Sequence, residues 1–173
     1  MITPGQAHEL LRVHLSNSPR ATHSVFVGYV MRCLAQRFGG DPELWEVVGL
    51  CHDLDYFGTT DDRSQHGIVV ADWLKNDLPP DALDAIKAHD HRTGIHASTV
   101  LADALKLADA LAIADALLGR KSLAVLRDSD GEKKLRAIIA TRPYLSDMIA
   151  GISRKHGLSW PKLADICEAA PVQ

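Results

Sequence analysis

The sequence has few cysteines, few aromatic residues, no excess of positive charge and no long hydrophobic run. Its three cysteines are widely spaced and include no C-x-x-C pair, which argues against a disulfide framework and against a thiolate zinc site. A net charge of −3 provides no basic surface for nucleic acid. The longest apolar run, Ala110–Ala114, is far shorter than the ~20 residues that span a membrane. We therefore expect neither nucleic acid nor membrane as a partner.

We expect no signal peptide at the start of the chain. Residues 1–16 contain no continuous apolar segment of the kind found in a signal peptide. Together with the absence of a disulfide framework, this predicts a reducing, cytoplasmic compartment. What the sequence does have is histidine: nine of them, against nine aromatic residues in all. The 173 residues, of which 46% are hydrophobic and 24% charged, have the balance of one globular domain.

Helix signals recur along the whole chain. Thr3-Pro4, Ser18-Pro19 and Asp41-Pro42 each place a capping side chain before a proline at the first helical position. Apolar residues then recur at intervals of three and four, and no segment alternates as a strand does. The sequence predicts an all-α fold, with helices at 4–16, 19–38, 42–54, 64–76, 80–89, 98–118, 121–127, 131–140, 143–156 and 160–169.

We predict a single helical bundle over residues 1–173. Its motif-bearing part covers about 5–120, and further helices follow at about 121–170. Polar loops are expected at Asp55–Arg63 and Asp90–His96. The apolar faces of the helices after residue 120 complete the core or form a homodimer contact, and the sequence leaves both open.

Six ionisable residues lie on apolar helix faces. One histidine in such a position is more often a hydrogen-bonded core residue than a metal ligand. Several buried imidazoles and carboxylates together cannot easily all find hydrogen-bond partners, whereas one or two divalent ions would satisfy them. A histidine and carboxylate set without cysteine suits Fe, Mn, Co, Ni or Zn. The predicted ligands are His23, His52, Asp53, His66, His89 and Asp109, and His91 and His96 lie in a loop close enough to reach the same cavity.

Three segments carry a family resemblance. His23, then His52-Asp53, then Asp109 resembles the H…HD…D signature of the HD-domain metal-dependent phosphohydrolase superfamily. Arg20–Ser24 is similar to its R-x-x-H-S helix start, Val48–Leu54 to the apolar run into the doublet, and Lys106–Leu111 to the last aspartate segment. The HDLDY wording of His52–Tyr56 is most similar to a small branch of predicted hydrolases within that superfamily.

The resemblance implies a two-metal site. His23, His52, Asp53 and Asp109 would hold one ion, Asp53, His66 and His89 the second, and Asp53 would bridge them. The implied activity is hydrolysis of a small phosphorylated metabolite or nucleotide by a metal-activated water. Asp53, Arg20 and Lys106 are the expected catalytic residues, and the expected substrate-binding residues are Arg20, Asp55, Tyr56, His91 and Lys106. Some relatives carry a catalytic Glu where this chain has Tyr56, so the general acid stays unassigned.

Two other functions stay open. Some two-metal members of the superfamily are mixed-valent di-iron oxygenases that cleave C–C or C–P bonds with O₂, and the same ligands are compatible with that. The phosphonate-cleaving members carry a tyrosine before the first histidine, whereas residues 1–22 contain none. The third alternative is a non-catalytic domain with a closed, structural metal site. Both alternatives retain a metal site, and they differ from the hydrolase in what that site does.

Overall fold

The computed structural model describes residues 1–118 and 122–170, and every regular element in these two ranges is helical. This confirms the all-α prediction. No helix within them is both long and apolar enough to cross a membrane. The α-helices are α1 (Pro4–Leu15), α2 (Pro19–Phe38), α3 (Pro42–Cys51), α4 (Ile68–Trp73), α5 (Pro80–Ala88), α6 (Val100–Leu118), α7 (Gly131–Ile138), α8 (Pro143–Lys155) and α9 (Trp160–Glu168), with 3-10 helices at Arg63–Gln65, His91–Thr93 and Ser122–Arg127.

The predicted starts of the first three helices are confirmed. The Thr3 side chain accepts a hydrogen bond from the Gln6 amide, and the Gln6 side chain accepts one from the Thr3 amide in return. The Ser18 side chain accepts from the Ala21 amide at the start of α2, and Asp41 accepts from two amides at the start of α3. These oxygens satisfy amides that have no partner inside the helix.

Three predicted helices differ from the structure. The helix expected at 42–54 ends at Cys51, and the helix expected at 64–76 is a 3-10 turn followed by the short α4. The break falls where Gly67 has φ +84°, a left-handed conformation that interrupts an α-helix and that glycine adopts easily. The segment expected at 121–127 is a 3-10 helix over Ser122–Arg127, and residue 121 lies outside the described residues.

The chain divides into two compact units, residues 1–106 and the residues from Leu107 onward, with the boundary inside α6. In the first unit α2 packs against α3, α1 packs against both, and α4 packs against α5. In the second unit α7 and α9 each pack against the 3-10 helix Ser122–Arg127, and α7 packs against α8. One domain over 1–173 stays a prediction.

A pair of glycines sets the distance between α2 and α3. A Cβ atom on Gly49 would lie only 2.7 Å from the Cα of Gly28, and one on Gly28 would lie 2.9 Å from Leu50 Cγ. No larger residue fits either position at this spacing. The close contact matters for the candidate site because α2 carries His23 and α3 ends directly before His52-Asp53.

Candidate metal centre

Asp53 lies at the centre of the predicted site. It follows His52, the capping residue at the C-terminal end of α3, and is only 2% exposed. Its Oδ1 lies 2.9 Å from His66 Nε2 and 3.6 Å from His89 Nε2. Its Oδ2 lies 3.4 Å from His52 Nε2 and 3.6 Å from His23 Nε2. Residues separated by up to 66 positions in sequence thus converge on one buried carboxylate.

His52 and His89 are held in the same way by the ends of two helices. Each is the residue that follows the last turn, of α3 and α5 respectively. His52 Nδ1 lies 2.7 Å from the carbonyl oxygen of Gly49, and His89 Nδ1 lies 2.6 Å from that of Ile86. A carbonyl oxygen can only accept, so Nδ1 carries the hydrogen in both rings. Each Nε2 is therefore left to face Asp53 as a potential metal ligand.

Asp55 orients the third imidazole. Its Oδ1 lies 2.7 Å from His66 Nδ1, and its Oδ2 accepts from the Gly67 and Val70 amides at 2.8 and 3.1 Å. We expected Asp55 at the mouth of the site in contact with substrate, but it is only 1% exposed and both of its oxygens are engaged. It lies behind His66 because its carboxylate satisfies the amides at the start of α4, which no other side chain caps.

The buried charges stabilise one another. Burial opposes ionisation of Asp53, yet the charge and hydrogen bond of His52 and the hydrogen bonds of His66 and His89 hold the pKa of this carboxyl well below its usual range. Burial likewise disfavours charge on His66, but hydrogen bonds and charge from Asp53 and Asp55 raise its pKa to about 9. In the metal-free protein, the positive charge on His66 thus compensates part of the buried negative charge of Asp53.

Arg20 joins the cluster from the first turn of α2. Its Nη1 donates to Asp53 Oδ2 at 2.9 Å, and its side chain is 26% exposed. Its guanidinium carbon lies 3.9 Å from the centre of the Tyr56 ring. Although burial opposes its charge, Asp53 raises the pKa of Arg20, so the side chain is a permanent cation beside the carboxylate. The structure therefore brings Arg20 and Tyr56 to the predicted centre.

The other predicted residues differ in exposure and in the element that carries them. The side chain of His91 is 87% exposed, and its Nδ1 lies 3.6 Å from Asp90. His96 is exposed in the following loop, and Lys106 is half-buried on α6. Asp109 is half-buried on α6 in the second unit. Metal or substrate roles for these residues stay predictions.

Sequence reasoning missed two arginines and a glycine. Both arginines lie in segments that were expected to be polar loops. Arg63 packs on the Tyr56 ring. The pKa of Arg92 is raised first by its hydrogen bonds to Asp90, and also by the charges of Tyr56 and Asp53. A Cβ atom on Gly67 would meet the Ile86 carbonyl oxygen at 2.7 Å. The only signal for Gly67 was its place directly after a candidate ligand.

The residues present fit a metal ion. One atom from each of His52, Asp53 and His89 lies within 4.8 Å of the others, and all three residues are buried. Two imidazole nitrogens and a carboxylate oxygen are donors that first-row transition metals accept readily. Their bonded Nδ1 atoms supply the outer support that metal-binding histidines usually have. The cluster is therefore a candidate metal site.

The comparison with known families matches the same part of the chain. The model of the family described as HD domain matches residues 20–114, which is more than half of the sequence and includes His23, His52-Asp53 and Asp109. No curated protein and no solved structure matches the chain.

Proposed function

The chain belongs to the HD domain family, and from that premise we propose that it is a metal-dependent phosphohydrolase acting on a small phosphorylated metabolite. One observation carries the proposal. Three imidazoles have their Nδ1 atoms bonded to fixed acceptors and direct their Nε2 atoms at one buried carboxylate. An ordinary core would need only satisfied hydrogen bonds, whereas a metal centre needs Nε2 atoms of fixed orientation.

We further propose two ions bridged by Asp53. The two oxygens of this carboxylate face different histidines: Oδ2 faces His23 and His52, and Oδ1 faces His66 and His89. A carboxylate can span two cations that lie ~3.5–4 Å apart. In this proposal Asp109 completes the ligands on the Oδ2 side, as the family resemblance implies. The division of the imidazoles into two pairs supports two ions over one.

The bound ions would supply a water molecule acidified to near-neutral pKa and stabilise charge on the phosphoryl oxygens. The chain's own residues would do the remaining work. Arg20 would turn its permanent charge toward the phosphate, since its guanidinium already lies at the edge of the centre and is partly exposed. Lys106 would be a second cation for the phosphate. Asp55 would hold His66 in the tautomer that leaves Nε2 free to bind.

The aromatic residues near the centre favour a small metabolite over a nucleotide. Tyr56 and Phe57 are the two rings in the loop that follows Asp53. Guanidinium carbons of Arg20 and Arg63 lie 3.9 and 4.3 Å from the centre of the Tyr56 ring, where a stacked base would otherwise lie. Phe57 is half-exposed and meets Tyr56 edge-on, 5.5 Å away. This leaves little stacking surface for a base.

The test combines metal analysis with a phosphatase screen over simple phosphomonoesters and nucleotides. We expect two equivalents of transition metal per chain and hydrolysis of small phosphomonoesters. Asp53→Asn should lose both ions and at least about 100-fold in activity. Asp61→Asn, an exposed carboxylate in the loop after the centre, is the matched control and should keep both.

Other outcomes would redirect the proposal. Less than one equivalent of metal in every preparation would contradict a metal centre of two ions. Full metal content without phosphatase activity would contradict the assignment as a phosphohydrolase. O₂ consumption by iron-loaded protein, with an EPR signal of a mixed-valent pair, would assign the oxygenase alternative instead. Unfolding on chelation without any activity would favour a structural metal.

A further inference from the structure

Arg20 and Arg63 lie over the Tyr56 ring, Arg92 interacts electrostatically with Tyr56, and the three arginines differ in what neutralises them. Arg20 donates to Asp53, and Arg92 forms a bidentate pair with Asp90. Arg63 forms no ion pair with a carboxylate in residues 1–118 and 122–170. Of the three arginines, it is the one without an ion-pair partner in these residues.

Arg63 is nevertheless held in place. Its Nη1 donates to the Tyr56 carbonyl oxygen at 2.9 Å, and its guanidinium carbon lies 4.3 Å from the centre of the Tyr56 ring. Stacking on an aromatic ring and a bond to the backbone both restrict the side chain, which is half-buried. A guanidinium fixed in this way has lost much of its rotational freedom in advance, so an anion that binds it loses less entropy.

The position of Arg63 relative to the candidate metal centre indicates which molecule would carry that anion. Arg20 contacts both Asp53 and Tyr56, whereas Arg63 contacts only Tyr56. Two cations on one ring repel each other, and anionic groups placed beside them would relieve that repulsion. Both guanidinium carbons lie within 4.3 Å of the ring centre, so a single metabolite can reach both arginines. An anion at Arg63 would then lie beside the group held at the metal centre.

We propose that the substrate carries a second anionic group, and that Arg63 recognises it. The reacting phosphate would lie at the metal centre beside Arg20, and the second group, a carboxylate or another phosphate, would bind Arg63. This inference rests on the proposed function, since it takes the metal centre as the place of the phosphate. Arg63 is a specificity-determining residue in this arrangement, because it binds substrate away from the bond that breaks.

The test is equilibrium binding of phosphonates that cannot be hydrolysed, measured by calorimetry on Mn²⁺-loaded protein. Methylphosphonate has one anionic group, phosphonoacetate adds a carboxylate, and methylenediphosphonate adds a second phosphonate. We expect at least one of the two-anion probes to bind about tenfold or more tightly than methylphosphonate. Comparison of these two probes identifies the second group.

Variants assign that gain to a residue. Arg63→Gln should remove the tenfold advantage and leave methylphosphonate binding unchanged, which also shows that the variant is folded. Arg63→Lys should restore part of the advantage, because a point charge lacks the bidentate geometry. Arg37→Gln is the control, an exposed arginine near the C-terminal end of α2, and should behave as the unaltered protein.

Several results would overturn the inference. Equal binding of all three probes would mean that no second anion is recognised. An advantage that survives Arg63→Gln would place the recognition elsewhere. Equal weakening of all three probes would make Arg63 a contact of the reacting phosphate. Failure of every phosphonate to bind would also overturn it, while the phosphatase screen decides independently whether the hydrolase proposal stands.

Discussion

Replacement of Asp55 by asparagine probes the link between the fold and the metal centre. Asparagine has the same shape, and its carbonyl oxygen can still accept from the amides of Gly67 and Val70, which Asp55 Oδ2 now binds. Its amide group would then face His66 Nδ1, where Asp55 Oδ1 lies at 2.7 Å. An amide NH₂ and a protonated Nδ1 are both donors. Nδ1 therefore gives up its hydrogen, and the neutral imidazole that results keeps its hydrogen on Nε2, the atom that faces Asp53 2.9 Å away.

The magnitude follows from what the metal requires. A metal ion needs the lone pair on Nε2, so the new tautomer competes directly with binding. Loss of an outer partner of a metal-binding histidine typically costs 10- to 100-fold in metal affinity. This corresponds to about 1.4–2.8 kcal/mol. We expect an effect of this size on the ion that His66 binds, and a smaller effect on the ion bound on the Oδ2 side of Asp53.

The assay is a metal titration with a competing chelator, together with imidazole nitrogen shifts from NMR to report the tautomer. Asp61→Asn, with an exposed carboxylate in the same loop, is the matched control. Unaltered affinity for both ions in Asp55→Asn, with His66 still protonated at Nδ1, would refute the argument that Asp55 fixes the tautomer. An equal loss in the control would show that loop charge alone is responsible.

Three further predictions concern stability and packing. Gly49→Ala should destabilise the protein by roughly 1–3 kcal/mol in urea unfolding because it forces α2 from α3, whereas Gly151→Ala, with open space around it, should stabilise by roughly 0.5–1 kcal/mol. Gly67→Ala should weaken metal binding, while Gly94→Ala, which also has positive φ but no close neighbour, should not. The pKa of His66 is about 9 in the folded protein, against 6.5 for an ordinary histidine. The metal-free protein should therefore lose up to about 3 kcal/mol of stability as pH rises from 6.5 through 9, because the folded state holds this proton more tightly than the unfolded state. The His66→Gln variant should not show this loss.

Much of the fold was predictable because its signals are local. Thr3, Ser18 and Asp41 cap helices at the predicted positions, since an oxygen side chain before a proline has few other uses. The convergence of His23, His52, His66 and His89 on Asp53 follows from a different signal, ionisable side chains on apolar faces. Such residues must meet partners when the faces are buried, so pattern alone indicates a cluster.

The parts that could not be predicted depend on contacts between distant segments. The expected helix over 64–76 breaks at Gly67 because this backbone amide turns to Asp55, twelve residues earlier. The same contact removes Asp55 from the mouth of the site. Arg63 has no helical pattern to place it, and its position depends on the ring and carbonyl of Tyr56. No periodicity in the sequence reports pairings of this kind.

The ends of α3 and α5 explain why two of the predicted ligands could be identified from the sequence and why the way they are held could not. We expected His52 and His89 as the last members of apolar helix faces, whereas each is the residue that ends its helix. Carbonyl groups in the last turn lack an amide partner within the helix and carry partial negative charge. In both helices the imidazole Nδ1 bonds the carbonyl three residues earlier. One local geometry thus fixes the tautomer of two predicted ligands without any other side chain, whereas Nδ1 of His66, which precedes α4, contacts Asp55 instead. That difference is why His66 depends on Asp55, and why replacement of Asp55 should affect one side of the centre more than the other.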